Sequence, residues 1–237
     1  MLSIATAELK MLLRNRLVAA CAILIPLAFG AFLLIAKPGG ESAGAASVIA
    51  TLQVMIMIAM GVYVTATTTL AARRQTLMLK RLRSGTVSDT SILTGLVVPI
   101  ILVSVIQIAL VLSVLSFTTS APENGLLLVL AVLLAEAMFV GFALATAGVT
   151  NSPEHAQVTT LPLFFLTLGA AYWTMYTGTE ELPWVKRLLP GGGIAELIST
   201  SWVGGTANLL QLVVPSLVWV AIALYFARRM FRWEPRA

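Results

Sequence analysis

The chain has 237 residues, 59% of them hydrophobic and only 11% charged, with a formal net charge of +5. Soluble domains average about 45–50% apolar and about 25% charged residues, so a water-surrounded fold is excluded and a bilayer is the indicated solvent. A nucleic-acid binder is excluded too, because no soluble domain is left to carry a basic face. A lone cysteine, Cys21, and a lone histidine, His155, rule out an intrachain disulfide and the usual zinc sites and argue against Cys-His or Ser-His catalysis.

Residues 1–16 are too polar to span. Leu2, Ala5, Leu9, Leu12 and Leu13 recur at helical spacing, while Glu8, Lys10, Arg14 and Asn15 lie largely elsewhere around the helix. This predicts an amphipathic helix lying at the membrane interface. The apolar run Leu17–Ala36 comes next. It exceeds the roughly 7–15 residues of a signal-peptide core, and Lys37-Pro38-Gly39-Gly40 makes a poor cleavage site. A crossing needs roughly 20 mostly apolar residues. Leu17–Ala36, Ala46–Leu70, Ser91–Phe117, Leu126–Val149, Val158–Tyr176 and Leu209–Ala227 meet that need. The runs are continuous, unlike the short alternating segments of a β-barrel. The expected fold is therefore all-α and membrane-integral, with residues 1–237 forming one domain of six transmembrane helices. Pro26, Pro99, Pro162 and Pro215 fall inside spans, where kinks are expected.

The connections alternate in charge. Lys10, Arg14 and Arg16 precede the first span. Arg73, Arg74, Lys80, Arg81 and Arg83 crowd the loop at residues 71–90, between the second and third spans. Arg228, Arg229, Arg232 and Arg236 follow the sixth. Only Lys37, Lys186 and Arg187 fall on the other side, so twelve of the fifteen cations share one face. The positive-inside rule places that face, and both termini, in the cytoplasm. The basic loop also contains Leu77, Leu79 and Leu82, so a short amphipathic helix is predicted over Thr76–Arg83, with Ser88 or Asp89 capping the next span. On residues alone the loop reads first as a topology signal bound to anionic headgroups. Across the membrane, residues 177–208 form an outer loop rich in Gly and Pro. There "LPWVKRLLP" predicts a short interfacial or re-entrant helix, with Trp184 and Trp202 at the interface.

No P-loop and no His-Glu-x-x-His occur, and Gly191-Gly192-Gly193 lacks the Lys-Ser/Thr of a phosphate loop. Transport, scaffolding or signalling remain. At this point the chain resembles a family. Leu79-Lys80-Arg81-Leu82-Arg83-Ser84-Gly85-Thr86-Val87-Ser88 is similar to the loop of the ABC-2 type permeases, the membrane subunits of ABC exporters. Their loop typically runs Leu-Glu-Arg-Leu-x-x-Thr-Pro-Val-Ser. "LPLFFLTLGAAYW" followed by "ELPWVKRLLPGGGIAELI" resembles their fifth span and outer segment. Two departures stand out: Arg73, Arg74 and Gln75 replace the acidic Gly-Thr-Leu neighbourhood common there, and Thr86 replaces the usual proline.

The resemblance implies an export permease in a bacterial inner membrane. The basic loop would be a coupling helix, with Leu77, Leu79, Lys80, Arg81, Leu82 and Arg83 seated in a separate ATPase. The chain would bind no cofactor itself; ATP and Mg would belong to that partner ATPase. A second permease copy or paralogue would complete the pathway. Gln53, Met57 and Met60 on span two, and Phe165, Tyr172 and Tyr176 on span five, would face that pathway; on residues alone they read equally as packing or lipid-facing surface. Glu136 is the one charge within a span. It is either functional, binding a cation, exchanging protons or pairing with a partner helix, or it is a packing residue joined to Gln107. The proton reading gives the alternative function, a self-sufficient secondary transporter. Ala137, Gly141 and Ala145 form a small-residue stripe expected to pack another helix.

Overall fold

The computed structural model describes residues 2–14, 16–36, 40, 42–85, 87–178, 181–205 and 208–233. Asn15, Lys37, Thr86 and Arg236, and the side chains of Leu2, Leu12, Leu13 and Cys21, lie outside the described residues.

Among the described residues the chain is helical, without strands. The helices are α1 (Leu2–Arg14), α2 (residues 16–36), α3 (Ala43–Gln75), α4 (Met78–Arg83), α5 (Asp89–Thr118), α6 (Gly125–Val149), α7 (Pro153–Thr177), α8 (Pro183–Leu188), α9 (Gly192–Val203) and α10 (Leu209–Met230). Five of them, α3, α5, α6, α7 and α10, are long and apolar enough to cross a membrane; the apolar stretch of α2, Ala22–Ala36, is shorter. Length and composition thus support five crossings where six are expected.

Helix α2 is continuous but not regular. It widens into a π turn at Ala20–Leu24, just ahead of Pro26, whose missing N–H leaves the Ala22 carbonyl without its helical donor. Helix α3 has a second π turn at Ala59–Val64, where no proline is present and the Thr65 hydroxyl donates to the Met60 carbonyl at 3.0 Å. The two π turns pack on each other. Gly61 lies at that crossing, where an added Cβ would stand 3.6 Å from the Ala22 carbonyl oxygen. Helices α5, α7 and α10 continue through Pro99, Pro162 and Pro215.

Helix α3 is the hub. Ile49, Val54, Met55, Ile58 and Val62 are fully buried along it, against Met138 and Phe139 of α6 and Ile194, Leu197 and Ile198 of α9. Helix α9 wedges among α3, α6, α7 and α10. Polar links at the same end hold it: the Asn124 N–H donates to the Ser201 carbonyl at 2.9 Å, and the Ser47 and Ser199 hydroxyls meet at 3.3 Å. Trp202, expected at the interface beside exposed Trp184, is instead fully buried, donating to the Ser120 hydroxyl at 3.0 Å. The tight entry to α9 needs glycine: Gly191 has φ 94°, and a Cβ there would lie 2.8 Å from the Thr167 carbonyl oxygen.

Helices α6 and α10 make the most intimate pair. The Gly141 position of the small-residue stripe lets them meet, since a Cβ there would stand 2.7 Å from the Cβ of Ala223. At the opposite end from α9, a second apolar cluster joins Leu70, Leu79, Ile92, Leu96 and Ala147, with Ile4, Leu82, Phe231 and Trp233 packed around it. This cluster gathers the ends of α3, α5, α6 and α10 beneath the basic loop.

Candidate functional site

The basic loop is built as a rigid corner. Helix α3 runs past Leu70 to Gln75, so Arg73 and Arg74 are helical, although they were expected in the loop. Both have partners. The Arg73 guanidinium donates to both carboxylate oxygens of Glu8, at 2.8 and 2.9 Å, tying α1 to α3. Glu8 is therefore buried, although its place in the sequence suggested a solvent face, and Leu9 is exposed. Arg74 is 2% exposed and donates to the Gly148 and Thr150 carbonyls. It satisfies the C-terminal end of α6, where backbone oxygens are left over and a cation is favoured.

The chain then turns on Thr76 and Leu77. Leu77 has φ 57°, the left-handed region, without being glycine. A branched side chain in that region costs about 1–2 kcal/mol. Helix α4 follows, and its two faces differ. Leu79 is fully buried in the apolar cluster and Leu82 is half-buried beside it. Leu77, Lys80, Arg81 and Ser84 are exposed, and their i, i+3, i+4, i+7 spacing makes one outward stripe. Leu79, expected to seat in another protein, packs instead inside this chain's own bundle, and Leu82 keeps part of its surface exposed beside it. Arg83 lies 3.3 Å from Asp89 and over the Trp233 ring, both at the surface, where such contacts contribute little. The Ser88 hydroxyl accepts from the Ser91 N–H at 3.3 Å, capping α5.

Inside the bundle, Glu136 is 3% exposed and accepts a hydrogen bond from the Ser104 hydroxyl at 2.8 Å. The expected partner was Gln107, one turn further along α5. Its amide has no hydrogen bond among the described residues, and neither does the second oxygen of Glu136. Gln53 donates to the Pro26 carbonyl at 2.8 Å and leaves its own oxygen unpaired. Gln53, Gln107 and Glu136 sit ten or eleven residues from the α9 end of their helices, about 15 Å deep at ~1.5 Å per residue.

The residues proposed to line a pathway are not brought together within one chain. Gln53 and Met57 are fully buried, since their stripe on α3 points into the core, and Met60 is half-buried. Phe165, Tyr172 and Tyr176 point outward from α7, the two tyrosines stacked at 5.7 Å.

At the far end, sequence reading missed a closed ion pair. The Arg187 guanidinium donates to both oxygens of Glu196, at 2.6 and 2.7 Å, and to Gln211 at 3.1 Å. Hydrogen bonds to Glu196 raise the Arg187 pKa above its ordinary value. Lys186 is buried, donating to the Gly178 carbonyl at 2.6 Å above the Trp173 ring. Opposite charges nine residues apart in an apolar loop were the only signal in the sequence.

A profile of the ABC-2 type transporter family matches residues 2–190. The chain belongs to the ABC-2 type transporters. No curated protein matches it. The matched stretch takes in α1 to α8, including the basic corner and the Glu136 layer, and ends just before α9. With its apolar helices this makes the protein a multi-pass membrane chain and an ABC permease, a transport subunit rather than an enzyme.

Proposed function

We propose that the chain is the permease subunit of an ATP-driven exporter in a bacterial inner membrane, with a separate ATPase docking on α4. The observation that supports this most is the rigid mounting of a short exposed stripe. Leu77, Lys80, Arg81 and Ser84 project outward, while Leu79, Arg73 and Arg74 fasten the same corner to α1, α3, α5 and α6. A force applied at the stripe would therefore reach four helices at once. A topology signal alone needs charge, but neither a folded helix nor a buried leucine.

On this reading α2 is a sixth crossing. Residues 16–36 run on without a break, about 30 Å at ~1.5 Å per residue, enough for a hydrocarbon core. The even count returns both termini to the basic, cytoplasmic side. Helix α1 lies in the inner interface, and α8 with α9 forms a re-entrant outer segment. Two permeases, identical or paralogous, would pair with two ATPases that carry ATP and Mg. The cargo would be an amphipathic drug, lipid or natural product, in keeping with the Met-, Phe- and Tyr-bearing helices. The alternative, proton-coupled transport by this chain alone, gains nothing from the family or from the geometry, because Glu136 is closed in against Ser104.

The test is purification of the chain together with the products of neighbouring genes. Recovery of a P-loop ATPase whose hydrolysis rises with the permease supports the proposal. Proton-coupled uptake by the chain alone rejects it.

A further inference from the structure

We propose that residues 231–233, which follow α10, form a strap that holds α4 against the bundle by gripping Arg83. Its bearing on ATPase docking rests on the export reading above; the strap itself does not.

The sequence suits such a strap. In Phe231-Arg232-Trp233 two aromatic residues flank a cation, and in an extended chain the first and third residues share one face. The chain leaves α10 at Phe231 in an extended conformation, after a last helical bond from the Phe231 N–H to the Ala227 carbonyl at 3.0 Å. Phe231 and Trp233 are half-buried and meet edge to face at 5.3 Å, while Arg232 is exposed. Both aromatic residues pack against the cluster of Leu70, Ile92, Leu96 and Ala147 that also buries Leu79 of α4.

Helix α6 fixes the path. A Cβ at Gly148 would overlap the Met230 carbonyl, so glycine is what lets the end of α10 come this close. Trp233 then reaches Arg83, whose guanidinium carbon lies 5.2 Å from the ring centroid. Asp89, at the start of α5, lies 3.3 Å from the same guanidinium. Arg83 is thus held between two segments far apart in sequence. It stands off the outward stripe, two residues beyond Arg81. The resemblance assigns Arg83 to the ATPase; here it anchors α4 within the chain.

The contacts are individually weak. The Arg83 and Asp89 side chains are 53% and 46% exposed, and ion pairs and cation–π contacts at such sites contribute little. A strap built this way can open without unfolding the bundle, as the burial of Leu79 cannot. It also ties α4 to a helix whose other end holds the outer segment. There the Trp219 indole N–H donates to the Leu188 carbonyl at 2.9 Å, and Arg187 donates to Gln211 at 3.1 Å. The competing reading is plain interfacial anchoring, in which Phe231 and Trp233 sit among headgroups and leave α4 unaffected.

The test is hydrogen exchange on the full chain in lipid nanodiscs. The reporting amides include Arg81, which donates to the Leu77 carbonyl at 3.0 Å, and Ser84, which donates to the Lys80 carbonyl at 3.1 Å. Trp233→Ala should speed their exchange about two- to fivefold, the factor expected of an exposed cation–π contact, with α8 and α9 unchanged. Phe231→Ala/Trp233→Ala should speed it about tenfold or more. Trp233→Tyr keeps a ring and should restore most of the protection. Arg83→Gln should act at least as strongly as Trp233→Ala, and adding Trp233→Ala to it should change little further. Unchanged α4 exchange in the double aromatic variant overturns the strap and marks two interfacial anchors. Equal acceleration in α8 and α9 overturns it too, since the residues would then stabilise the whole fold alike. Full additivity of Arg83→Gln and Trp233→Ala overturns the grip on Arg83. No ATPase enters the measurement: its failure leaves the export reading standing, and failure to recover an ATPase leaves the strap standing.

Discussion

Leu77→Asn separates what the corner residue does for folding from what it does for docking. In the folded chain Leu77 holds φ 57°, a conformation that costs a non-glycine residue about 1–2 kcal/mol but that asparagine visits readily. Relief of that strain should raise the melting temperature by about 2–4 °C for each kcal/mol gained in a chain of this size. Docking should move the other way. Leu77 is 42% exposed. Full burial of a leucine is worth about 1.5–3 kcal/mol, so covering the remaining surface with a partner is worth about 0.6–1.3 kcal/mol. Losing it weakens binding about 3- to 9-fold. The assay is titration of the partner ATPase against the permease in nanodiscs, with thermal unfolding measured on the same sample. A more stable variant that docks less well supports a strained residue held in place for its exposed surface. A less stable variant, or a more stable one with unchanged docking, refutes that reasoning.

Leu79→Ser should behave oppositely, because Leu79 is fully buried: a cost of about 3–5 kcal/mol from lost burial, a cavity and a stranded hydroxyl, read as poor recovery of folded protein before any docking is tested. Glu196→Gln strands Arg187, whose side chain is 12% exposed against 7% for its partner; breaking so closed a pair costs about 3 kcal/mol, and thermal unfolding should show most of it restored in Arg187→Met/Glu196→Leu. Gly141→Leu should force α6 from α10, since even a Cβ stands 2.7 Å from Ala223; overpacking of this kind costs about 1–3 kcal/mol and should shift the melting curve more than Gly169→Leu, where an added Cβ meets nothing. A double-mutant cycle on Glu8→Gln and Arg73→Met should return a coupling of about 1 kcal/mol or more, with faster proteolysis of α1 in either single variant.

The reach of the sequence differs from helix to helix, and the differences have physical causes. Long apolar runs mark α3, α5, α6, α7 and α10 because a bilayer leaves little alternative to a helix. The small-residue stripe of α6 was readable as packing, because only a glycine permits the approach that Gly141 makes to Ala223. Orientation around a helix was not readable where a residue serves two masters. Leu79 and Glu8 have the chemistry of an exposed coupling face and an exposed interfacial face. Each is buried because a distant partner claims it: the Leu70–Ile92–Leu96 cluster in one case, Arg73 in the other. The same ambiguity hid Trp202, whose indole N–H suits a wet interface until Ser120 supplies an acceptor inside.

Composition could not reveal which polar groups in the bundle would go unpaired, because pairing depends on rotation as well as depth. Gln53, Gln107 and Glu136 share a depth, yet Ser104 rather than Gln107 meets Glu136. The helix rotation that brings Ser104 to the carboxyl leaves Gln107 unbonded among the described residues. Polar atoms with no partner in the fold are where a ligand has most to offer. At the basic corner the logic runs the other way. Arg73 and Arg74 turn inward to Glu8 and to the end of α6, while Leu77, Lys80, Arg81 and Ser84 share the exposed face of the same corner.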